Sequence, residues 1–559
     1  MKYADIKQSC QWIGSVGAIV VSTAAASVSA AEQIYVQYSF LELSIPVTEL
    51  ETYAKNGQLS ETLQTYAEYL KPEQLQQLRA ALSTKLTLPP RTLSSLLSSP
   101  VGEALLARAS TIIQSKSQGA SPDALNTALV AAASDPEGLT LISLMRHFPD
   151  AGIQVDVTEG VALFQSVEQL VQQTQAAVAL IQKQALATPP TGAADSAVLQ
   201  SLQKPGPFRS DTLTIQLQDN TPKRLQIAGK ARQFPADLYI PRRSDQAPII
   251  VISHGFSADR SAYASFAKHL ASYGFVVAVP EHPGSSAKQT QAWLAGEIDQ
   301  PSQALEFIDR PLDVSYLLDD LTRRSKTDPQ LKGRLNLNQV GVMGHSFGGY
   351  TALAVGGGKI NFAALRQACG PEVKMTLNIS QILQCQVLKL PQKEYVLSDP
   401  RIKAVLAVSP VTRSVFGKEG LGQIQAPVMF ISSSMDTVTP SLLEQVQPFT
   451  WLPESRKYLV MIQSASHYST SDKQRANQTL WEFPDSLVGP TPAVARSYLK
   501  ALGTSFFQTE LLQQSPATLS SSAVQQLSQP TLPLSLVRQL SMQNLKPVLK
   551  PVLSSKTAP

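Results

Sequence analysis

The chain has 559 residues, more than one ordinary domain holds, so we expect two domains with flanking segments. Hydrophobic residues make up 43% of the sequence, which is enough for extensive cores, whereas charged residues make up only 16%. The formal net charge is +5, and Lys and Arg form no clustered stripe, so the composition argues against nucleic-acid binding.

Residues 1–30 have the features of a secretory signal peptide. Lys2 and Lys7 precede a mostly apolar run over residues 12–26, and the Val-Ser-Ala of residues 28–30 fits the small-x-small cleavage pattern. A retained membrane anchor is the alternative, but the apolar run is short and polar residues interrupt it. We therefore expect an exported protein, periplasmic or extracellular, with no stable membrane span after cleavage.

Residues 31–157 are predicted to form a separate, mostly helical domain. A short strand pair is expected within residues 34–45, and helical segments follow it, interrupted near Gly57 and at several prolines. Ser60 and Ser121 are typical helix N-caps, and Pro122 suits the first helical position after the second of them. The pattern offers no catalytic or metal-binding chemistry, so this domain is assigned none.

Residues 158–205 are predicted to connect the two domains. Apolar residues recur at helical spacing over residues 161–187, which indicates a long amphipathic helix. Residues 188–205 are rich in Pro, Gly, Ala and Ser and are expected to be a linker.

Residues 206–512 alternate between strand and helix patterns. We expect antiparallel opening strands at 213–217 and 224–239, strands at 249–253, 275–280, 340–343, 404–408, 427–432 and 458–462, and helices between and after them, including 261–273, 312–323, 444–447 and 493–507. This order predicts an α/β protein with a mainly parallel sheet covered on both faces. Residues 513–559 are rich in Ser, Pro, Leu and Gln and are expected to form a disordered tail.

The most informative motif is Gly-His-Ser-Phe-Gly at residues 344–348. An apolar strand pattern precedes it and small helix-forming residues follow it, as in a nucleophile elbow. Ser346 is then the nucleophile, held in strained dihedral angles, while Gly344 and Gly348 avoid clashes with the neighbouring strand and helix. His345 is expected to pack against the sheet, and a structural turn is the alternative interpretation of the motif. 

The general base and the acid should follow the nucleophile along the chain. Of the six histidines, only His467 does so, in a loop after the strand at 458–462, and a surface histidine is the alternative. Asp436 follows the strand at 427–432 and would orient the imidazole, although a turn or helix-capping Asp is the alternative. The rival loop after residues 404–408 contains Ser409 but no carboxylate.

Acyl transfer also requires donors for the developing oxyanion. The backbone N–H of Phe347 is predicted to be one donor and that of Phe256 the other. Phe256 follows His254 and Gly255 at the end of a β-branched strand, in a sequence that resembles the His-Gly motif of α/β-hydrolases. His254 is expected to orient this loop, whereas His282 either lines the pocket or only shapes its own loop.

Signal cleavage would remove Cys10 and leave Cys369 and Cys385. Two cysteines in an exported chain suggest a disulfide, and two buried free thiols are the alternative. Both lie in residues 358–399, a segment too long for a simple connection, which we expect to form a cap over the active site.

Several motifs together resemble a bacterial family in which a helical domain of unknown function precedes an α/β-hydrolase. They are the Ile-Tyr-Val-Gln-Tyr of residues 34–38, the Arg-His-Phe-Pro of residues 146–149, the elbow at 344–349 and the Asp-Thr-Val-Thr-Pro of residues 436–440. Catalytic domains of this type are described as dienelactone hydrolases or as similar to platelet-activating-factor acetylhydrolases. The resemblance implies a serine esterase. The chain departs from the acetylhydrolase pattern by carrying Ser409 where that pattern has its acid, and from the dienelactone hydrolase pattern by carrying Ser346 where that pattern has Cys.

The sequence therefore predicts a serine hydrolase that cleaves carboxylic esters through an acyl-enzyme, without a metal or another cofactor. Small-molecule and lipid esters, with short or lipid-like acyl groups, remain open as substrates. A lipase, transacylase or peptidase on the same triad is an alternative, because the triad serves all of them. A non-catalytic, envelope-binding protein with a vestigial hydrolase domain is a second alternative.

Overall fold

The computed structural model describes residues 30–549, apart from residues 39–40, 69–70, 87, 189–192, 372, 374–375, 454–455, 473–487 and 515–518. The predicted signal peptide lies outside the described residues except for its last position. No helix in the described ranges is both long enough and apolar enough to cross a membrane.

The described residues from Ala31 to Asp156 form a small α/β unit around its own core. Four strands, β1 (Gln33–Tyr38), β2 (Leu41–Pro46), β3 (Ile113–Ser115) and β4 (Gly152–Asp156), form a sheet in the order β2-β1-β4-β3. The helices are α1 (Val47–Asn56), α2 (Glu61–Ala67), α3 (Pro72–Ser83), α4 (Pro90–Leu97), α5 (Pro100–Ile112), α6 (Pro122–Ala133) and α7 (Leu141–Arg146). Ser60 and Ser121 cap α2 and α6, as their sequence patterns predict, because each hydroxyl accepts a bond from a first-turn N–H.

Two helices connect this unit to the larger sheet. The long helix α8 (Val157–Leu186) agrees with the amphipathic helix that the sequence predicts. The predicted linker is not structureless, because α9 (Ala193–Ser201) forms within it and Leu199 and Leu202 are buried in a core beside the larger sheet. Small residues favoured a linker in the sequence, but these two leucines give the segment an apolar face to bury.

A mixed, mostly parallel sheet of nine strands dominates the rest of the described chain, as in an α/β protein. Its strands are β5 (Ser210–Asp219), β6 (Arg232–Pro241), β7 (Ala247–Ser253), β8 (Val276–Pro280), β9 (Leu335–His345), β10 (Ile402–Val408), β11 (Val428–Ser433), β12 (Lys457–Ile462) and β13 (Leu534–Val537). The order is β13-β12-β11-β10-β9-β7-β8-β6-β5, and only β5, β6 and β13 pair antiparallel to their neighbours. The carboxyl ends of the six parallel strands therefore meet at one edge of the sheet.

Helices cover both faces of this sheet. They are α10 (Pro222–Ala228), α11 (Ala264–Ser272), α12 (Ala287–Leu294), α13 (Gln303–Thr327), α14 (Phe347–Val355), α15 (Phe362–Ala368), α16 (Ile379–Cys385), α17 (Arg413–Leu421), α18 (Gln447–Phe449), α19 (Pro492–Leu512), α20 (Ser521–Leu527) and α21 (Met542–Leu545). In β7, Ile249 and Val251 join one core while Ile250 and Ile252 join the other. Both faces of β7 are therefore buried, which explains why its sequence is a nearly continuous apolar run.

Two sequence predictions are wrong in this region. Residues 224–228, predicted to begin a strand, belong to α10, which Thr221 caps and Pro222 starts before a left-handed Gly229 ends it. The predicted disordered tail is ordered over residues 519–549, where β13 pairs with β12 and α20 packs against β13. Its Ser and Gln content suggested disorder, but Leu534 and Leu536 fill the space beside the edge of the sheet.

Candidate active site

Ser346 lies at the turn between β9 and α14. Its φ of 56° and ψ of −118° are rare for a residue with a side chain, and such strain is held only where the surrounding structure enforces it. A Cβ on Gly344 would lie 1.9 Å from the Gly348 carbonyl oxygen, and one on Gly348 would lie 2.0 Å from that of Ser253. Both positions therefore exclude side chains, and the turn presents Ser346 at the N-terminus of a helix.

Asp436 and His467 form a buried hydrogen-bonded pair beyond the ends of β11 and β12. His467 Nδ1 donates to Asp436 Oδ2 at 2.8 Å. The other carboxylate oxygen accepts the N–H groups of Val438 (2.9 Å) and Thr439 (2.8 Å), and the Thr439 hydroxyl donates to Oδ2 at 2.8 Å. Burial alone would raise the pKa of Asp436, but His467 and these bonds outweigh it and hold the pKa below its usual value. The carboxylate is thus kept charged and aimed at the imidazole.

His345 links the nucleophile candidate to the base candidate. Its Nε2 donates to the His467 carbonyl oxygen at 2.9 Å, and the two rings are 4.6 Å apart. Burial lowers the pKa of His345 to about 3, so the ring is neutral near pH 7. Because Ser346 follows His345 directly, this bond holds the loop of the predicted base against the elbow. 

The predicted oxyanion loop, which follows β7, also lies beside Ser346. A Cβ on Gly255 would lie 3.5 Å from the Ser346 Cβ, so the loop passes directly beside the nucleophile candidate. His254 Nδ1 donates to the Gly255 oxygen at 2.8 Å, and its Nε2 accepts the N–H of His282 at 3.0 Å. His254 therefore braces the loop, in line with its predicted orienting role, and the structure places Phe256 immediately after this contact.

Arg310 on α13 is a residue that sequence reasoning missed. Its guanidinium donates to the carbonyl oxygens of His254 (2.6 Å) and Gly255 (3.2 Å) and lies 4.5 Å from the centre of the Phe347 ring. One buried cation thus contacts both segments that carry the predicted oxyanion donors. The only sequence signal was a set of four charged residues at helical spacing, at positions 306, 309, 310 and 313.

A second Ser-His-Asp array, which the sequence analysis missed, lies behind the predicted oxyanion loop. Ser253 and His282 Nε2 are 2.9 Å apart, and His282 Nδ1 donates to Asp313 Oδ2 at 2.9 Å. Each of these three side chains is fully buried, and burial together with Arg310 lowers the pKa of His282 well below its usual value. Ser253 lies within a regular strand, so it lacks the exposed turn that carries Ser346.

The second array belongs to a buried cluster of arginines and carboxylates. Arg224 contacts Asp219 (2.6 Å), Asp309 (2.7 Å) and Asp313 (2.6 Å). Arg232 contacts Glu306 at 2.7 Å and Asp309 at 2.9 Å. The cluster joins α10, β6 and α13. Because each buried charge meets opposite charges and hydrogen bonds, the cluster is stable only as a complete set.

Cys369 and Cys385 are joined by a disulfide, which ties the end of α15 to the end of α16. Both helices fall within the predicted cap at residues 358–399, and both pack against α17. That residues 358–399 cover the active site stays a prediction. The exact domain limits also stay predictions. Within the described ranges, no group of three or more His, Cys, Asp or Glu side chains is arranged to hold a metal ion.

Comparison with known proteins gives two family matches. Residues 30–156 match the model described as "Alpha/beta hydrolase of unknown function (DUF1400)", and residues 235–310 match "Platelet-activating factor acetylhydrolase, isoform II". Platelet-activating factor acetylhydrolase of Cavia porcellus is 28% identical over 26% of this chain and 40% of its own length, and that of Canis lupus familiaris is 33% identical over 21% and 34%. Cutinase 2 of Thermobifida cellulosilytica is 21% identical over 43% of this chain and 70% of its own length.

The chain is a distant homologue of acetylhydrolases and cutinases. The resemblance that the sequence predicts is confirmed at this level, and these homologues are carboxylic ester hydrolases. The chain spans less than half the length of the acetylhydrolases that it matches. The acetylhydrolase model covers the oxyanion loop, His282 and Arg310 but ends before Ser346, so the roles of the triad residues rest on geometry.

Proposed function

We propose that this chain hydrolyses carboxylic esters with Ser346 as nucleophile, His467 as general base and Asp436 as the acid that orients it. The observation that carries the proposal is the convergence of a strained serine turn and a buried Asp-His pair, joined through His345 at 2.9 Å. The acetylhydrolase and cutinase relatives support ester hydrolysis as the reaction class.

The first half-reaction transfers the acyl group to the enzyme. His467 Nε2 takes the Ser346 proton while the serine oxygen bonds to the ester carbonyl carbon. The backbone amides of Phe256 and Phe347 receive the oxyanion of the tetrahedral intermediate. When the intermediate collapses, the bond to the alcohol oxygen breaks, and protonated His467 gives its proton to the leaving alcohol. The product at this stage is an acyl-enzyme ester on Ser346.

The second half-reaction regenerates the enzyme. His467 removes a proton from water, and the resulting hydroxide oxygen bonds to the acyl carbon. Collapse of this second intermediate breaks the bond to Ser346, which recovers its proton from His467 and releases the carboxylic acid. Asp436 keeps Nδ1–H of the imidazole fixed throughout, so that Nε2 is the nitrogen that exchanges protons. 

A pair of serine variants tests the assignment against the buried second array. Ser346→Ala should abolish p-nitrophenyl ester hydrolysis and labelling by a fluorophosphonate probe, whereas Ser253→Ala should retain labelling because Ser253 is fully buried. Circular dichroism checks that both variants fold. Full turnover by Ser346→Ala, or loss of labelling only in Ser253→Ala, would assign the reaction to the other array.

Asp436→Asn tests the acid independently. The amide cannot hold the Nδ1–H tautomer in the same way, so kcat should fall by about 10³- to 10⁴-fold with the fold intact. An unchanged kcat would return Asp436 to its alternative role as a turn residue.

Lipid-like and short acyl esters remain the candidate substrates, and a panel of p-nitrophenyl esters of increasing chain length separates them. Lipase, transacylase and peptidase activities on the same triad need matching tests with triacylglycerol, an acceptor alcohol and peptide amides. A protein that resisted the fluorophosphonate probe yet bound envelope material would favour the non-catalytic alternative. 

We also propose that the protein is exported. The Cys369–Cys385 disulfide supports this, because disulfides persist mainly in oxidising compartments. Mass spectrometry of the protein recovered from fractionated cells would locate it and give the mature N-terminus. An uncleaved chain in the cytoplasm would contradict the proposal.

A further inference from the structure

A cavity of about 540 Å³ lies between α8 and the loops that follow β11 and β12. We call it the α8 groove. Its volume is typical of small-molecule sites. Residues of α8 form one side of it, and residues 434–441 and 463–464 form most of the other.

The walls of the α8 groove are mainly apolar. Val171 and Val178, separated by seven residues and hence on one face of α8, form one wall, while Met435 and Pro440 from the acid loop belong to the other. Val171 and Met435 remain 48% and 62% exposed, which is unusual for side chains of their size lying on a shared apolar surface. The apolar stripe continues outward along α8 to Phe164, which is 67% exposed. These features fit a hydrocarbon chain lying along the helix.

Two buried polar atoms of this lining, on Ser441 and Gln463, have no hydrogen-bond partner among the described residues. Ser441 is 1% exposed, and its hydroxyl makes no hydrogen bond within the described part of the chain. The buried Nε2 of Gln463, on the adjoining loop, is likewise without an acceptor among the described residues. Unsatisfied buried donors are unfavourable, so a hydrogen-bond acceptor supplied by a ligand would stabilise both.

The charges of the lining exclude an anionic head group. No Lys or Arg lines the described walls, and the one charged lining residue, Asp436, already binds His467 and Thr439. A carboxylate in the α8 groove would be desolvated beside another carboxylate without a counter-charge. A neutral oxygen, such as that of an alcohol or an ester, would satisfy Ser441 and Gln463 without this penalty.

We propose that the α8 groove binds a neutral single-chain amphiphile, with its chain against α8 and its head oxygen at Ser441 and Gln463. Ser346, His467 and Phe256 are not among the described lining residues, so the ligand lies on the acid side of the triad rather than at the reacting serine. The inference stands without the proposed ester hydrolysis, because it concerns binding alone.

Isothermal titration calorimetry on the full chain tests the proposal, with 1-hexanol, 1-octanol, 1-decanol and decanoate as probes below their aggregation limits. Alcohol affinity should rise by about fourfold for each added methylene. Decanoate should bind at least about tenfold more weakly than 1-decanol, because it would place an uncompensated charge in the groove. No alcohol binding, or equal affinity for decanoate, would overturn the proposal.

Three variants locate the binding. Thr174→Trp should fill the groove and abolish 1-decanol binding, while Ser441→Ala should weaken it by about three- to tenfold through loss of one donor. Ala176→Trp is the matched control, because Ala176 is exposed on the same helix outside the lining, and it should bind like the wild type. Thermal unfolding verifies the fold of each variant. Equal affinity in Thr174→Trp and Ala176→Trp would place the alcohol elsewhere and refute the site.

Discussion

Replacing Arg310 with lysine should damage the proposed oxyanion hole without altering the proposed triad. Arg310 is fully buried and donates to the carbonyls of His254 at 2.6 Å and Gly255 at 3.2 Å. It also donates to the Ser285 hydroxyl at 2.8 Å and covers the Phe347 ring at 4.5 Å. Lysine keeps the charge but has one nitrogen on a flexible stem, so it cannot bridge both carbonyls and lie flat over the ring. The two loops that carry the predicted donors would lose their common support.

The expected loss of kcat is estimated from the displacement of one backbone amide that donates to the oxyanion. Misplacing one amide of an oxyanion hole costs about 3 kcal/mol in the transition state, so kcat for a p-nitrophenyl ester should fall by about 10²-fold. The KM should change by less than about threefold, because the amide acts on charge that develops only in the transition state. Steady-state kinetics over a range of substrate concentrations separates the two parameters. 

Arg224→Lys is the matched control for Arg310→Lys. Arg224 lies in the same buried charge cluster and contacts Asp219, Asp309 and Asp313, and none of these three partners belongs to the predicted oxyanion loop. Both variants should lower the free energy of unfolding, whereas only Arg310→Lys should lower kcat. An equal fall of kcat in both variants, or a kcat of Arg310→Lys within about threefold of wild type, would refute the positioning role.

Three further predictions concern stability. The double variant Cys369→Ser/Cys385→Ser should lower the free energy of unfolding in denaturant by about 3 kcal/mol, since the disulfide closes a loop with a sequence separation of 16; an unchanged value would contradict this. A chain that ends at Gln513 should aggregate during size-exclusion chromatography, because loss of β13 exposes an edge of the sheet; a monomeric, active product would refute it. Burial, with a contribution from Lys500, lowers the pKa of His269 to about 4, so the unfolded state takes up its proton first and stability should fall by about 3 kcal/mol between pH 6.5 and pH 4. His269→Gln should remove that part of the pH dependence in denaturant titrations, and an unaltered slope would refute the assignment.

The sequence predicted the parts of the candidate active site that depend on local pattern. The elbow around Ser346 could be predicted because its steric requirements are local. The glycines and the change from strand to helix periodicity lie within a few residues of the serine. Asp436 and His467 could be chosen because strand ends converge at one edge of a parallel sheet, and few histidines were available. The hydrogen bond of 2.8 Å between His467 Nδ1 and Asp436 Oδ2 depends on the tertiary fold, and the positions of both residues after strand ends are consistent with it.

The parts that the sequence did not predict depend on long-range pairing. Asp309, Arg310 and Asp313 resemble the polar side of an ordinary amphipathic helix, and nothing local shows that Arg224 will meet the two aspartates across 85 or more positions. The C-terminal strand was missed for the same reason, since a four-residue apolar run becomes a strand only when a sheet edge is free to receive it. The amino-acid composition reflects the Ser and Gln residues around that run, but it does not show that the run pairs with β12.

The two Ser-His-Asp arrays show why the pattern of side chains alone does not define a catalytic site. Ser253 has its histidine and aspartate at hydrogen-bond distance, yet all three side chains are fully buried and its backbone is a regular strand. Ser346 is 8% exposed, has a φ of 56° and begins a helix whose free N–H groups favour negative charge. Of the two serines, Ser346 is therefore the one that an ester carbonyl can approach, while the Ser253 array lies behind the predicted oxyanion loop. If reactivity followed the hydrogen bonds alone, the buried serine would be the one labelled by a fluorophosphonate; access and backbone strain predict the opposite.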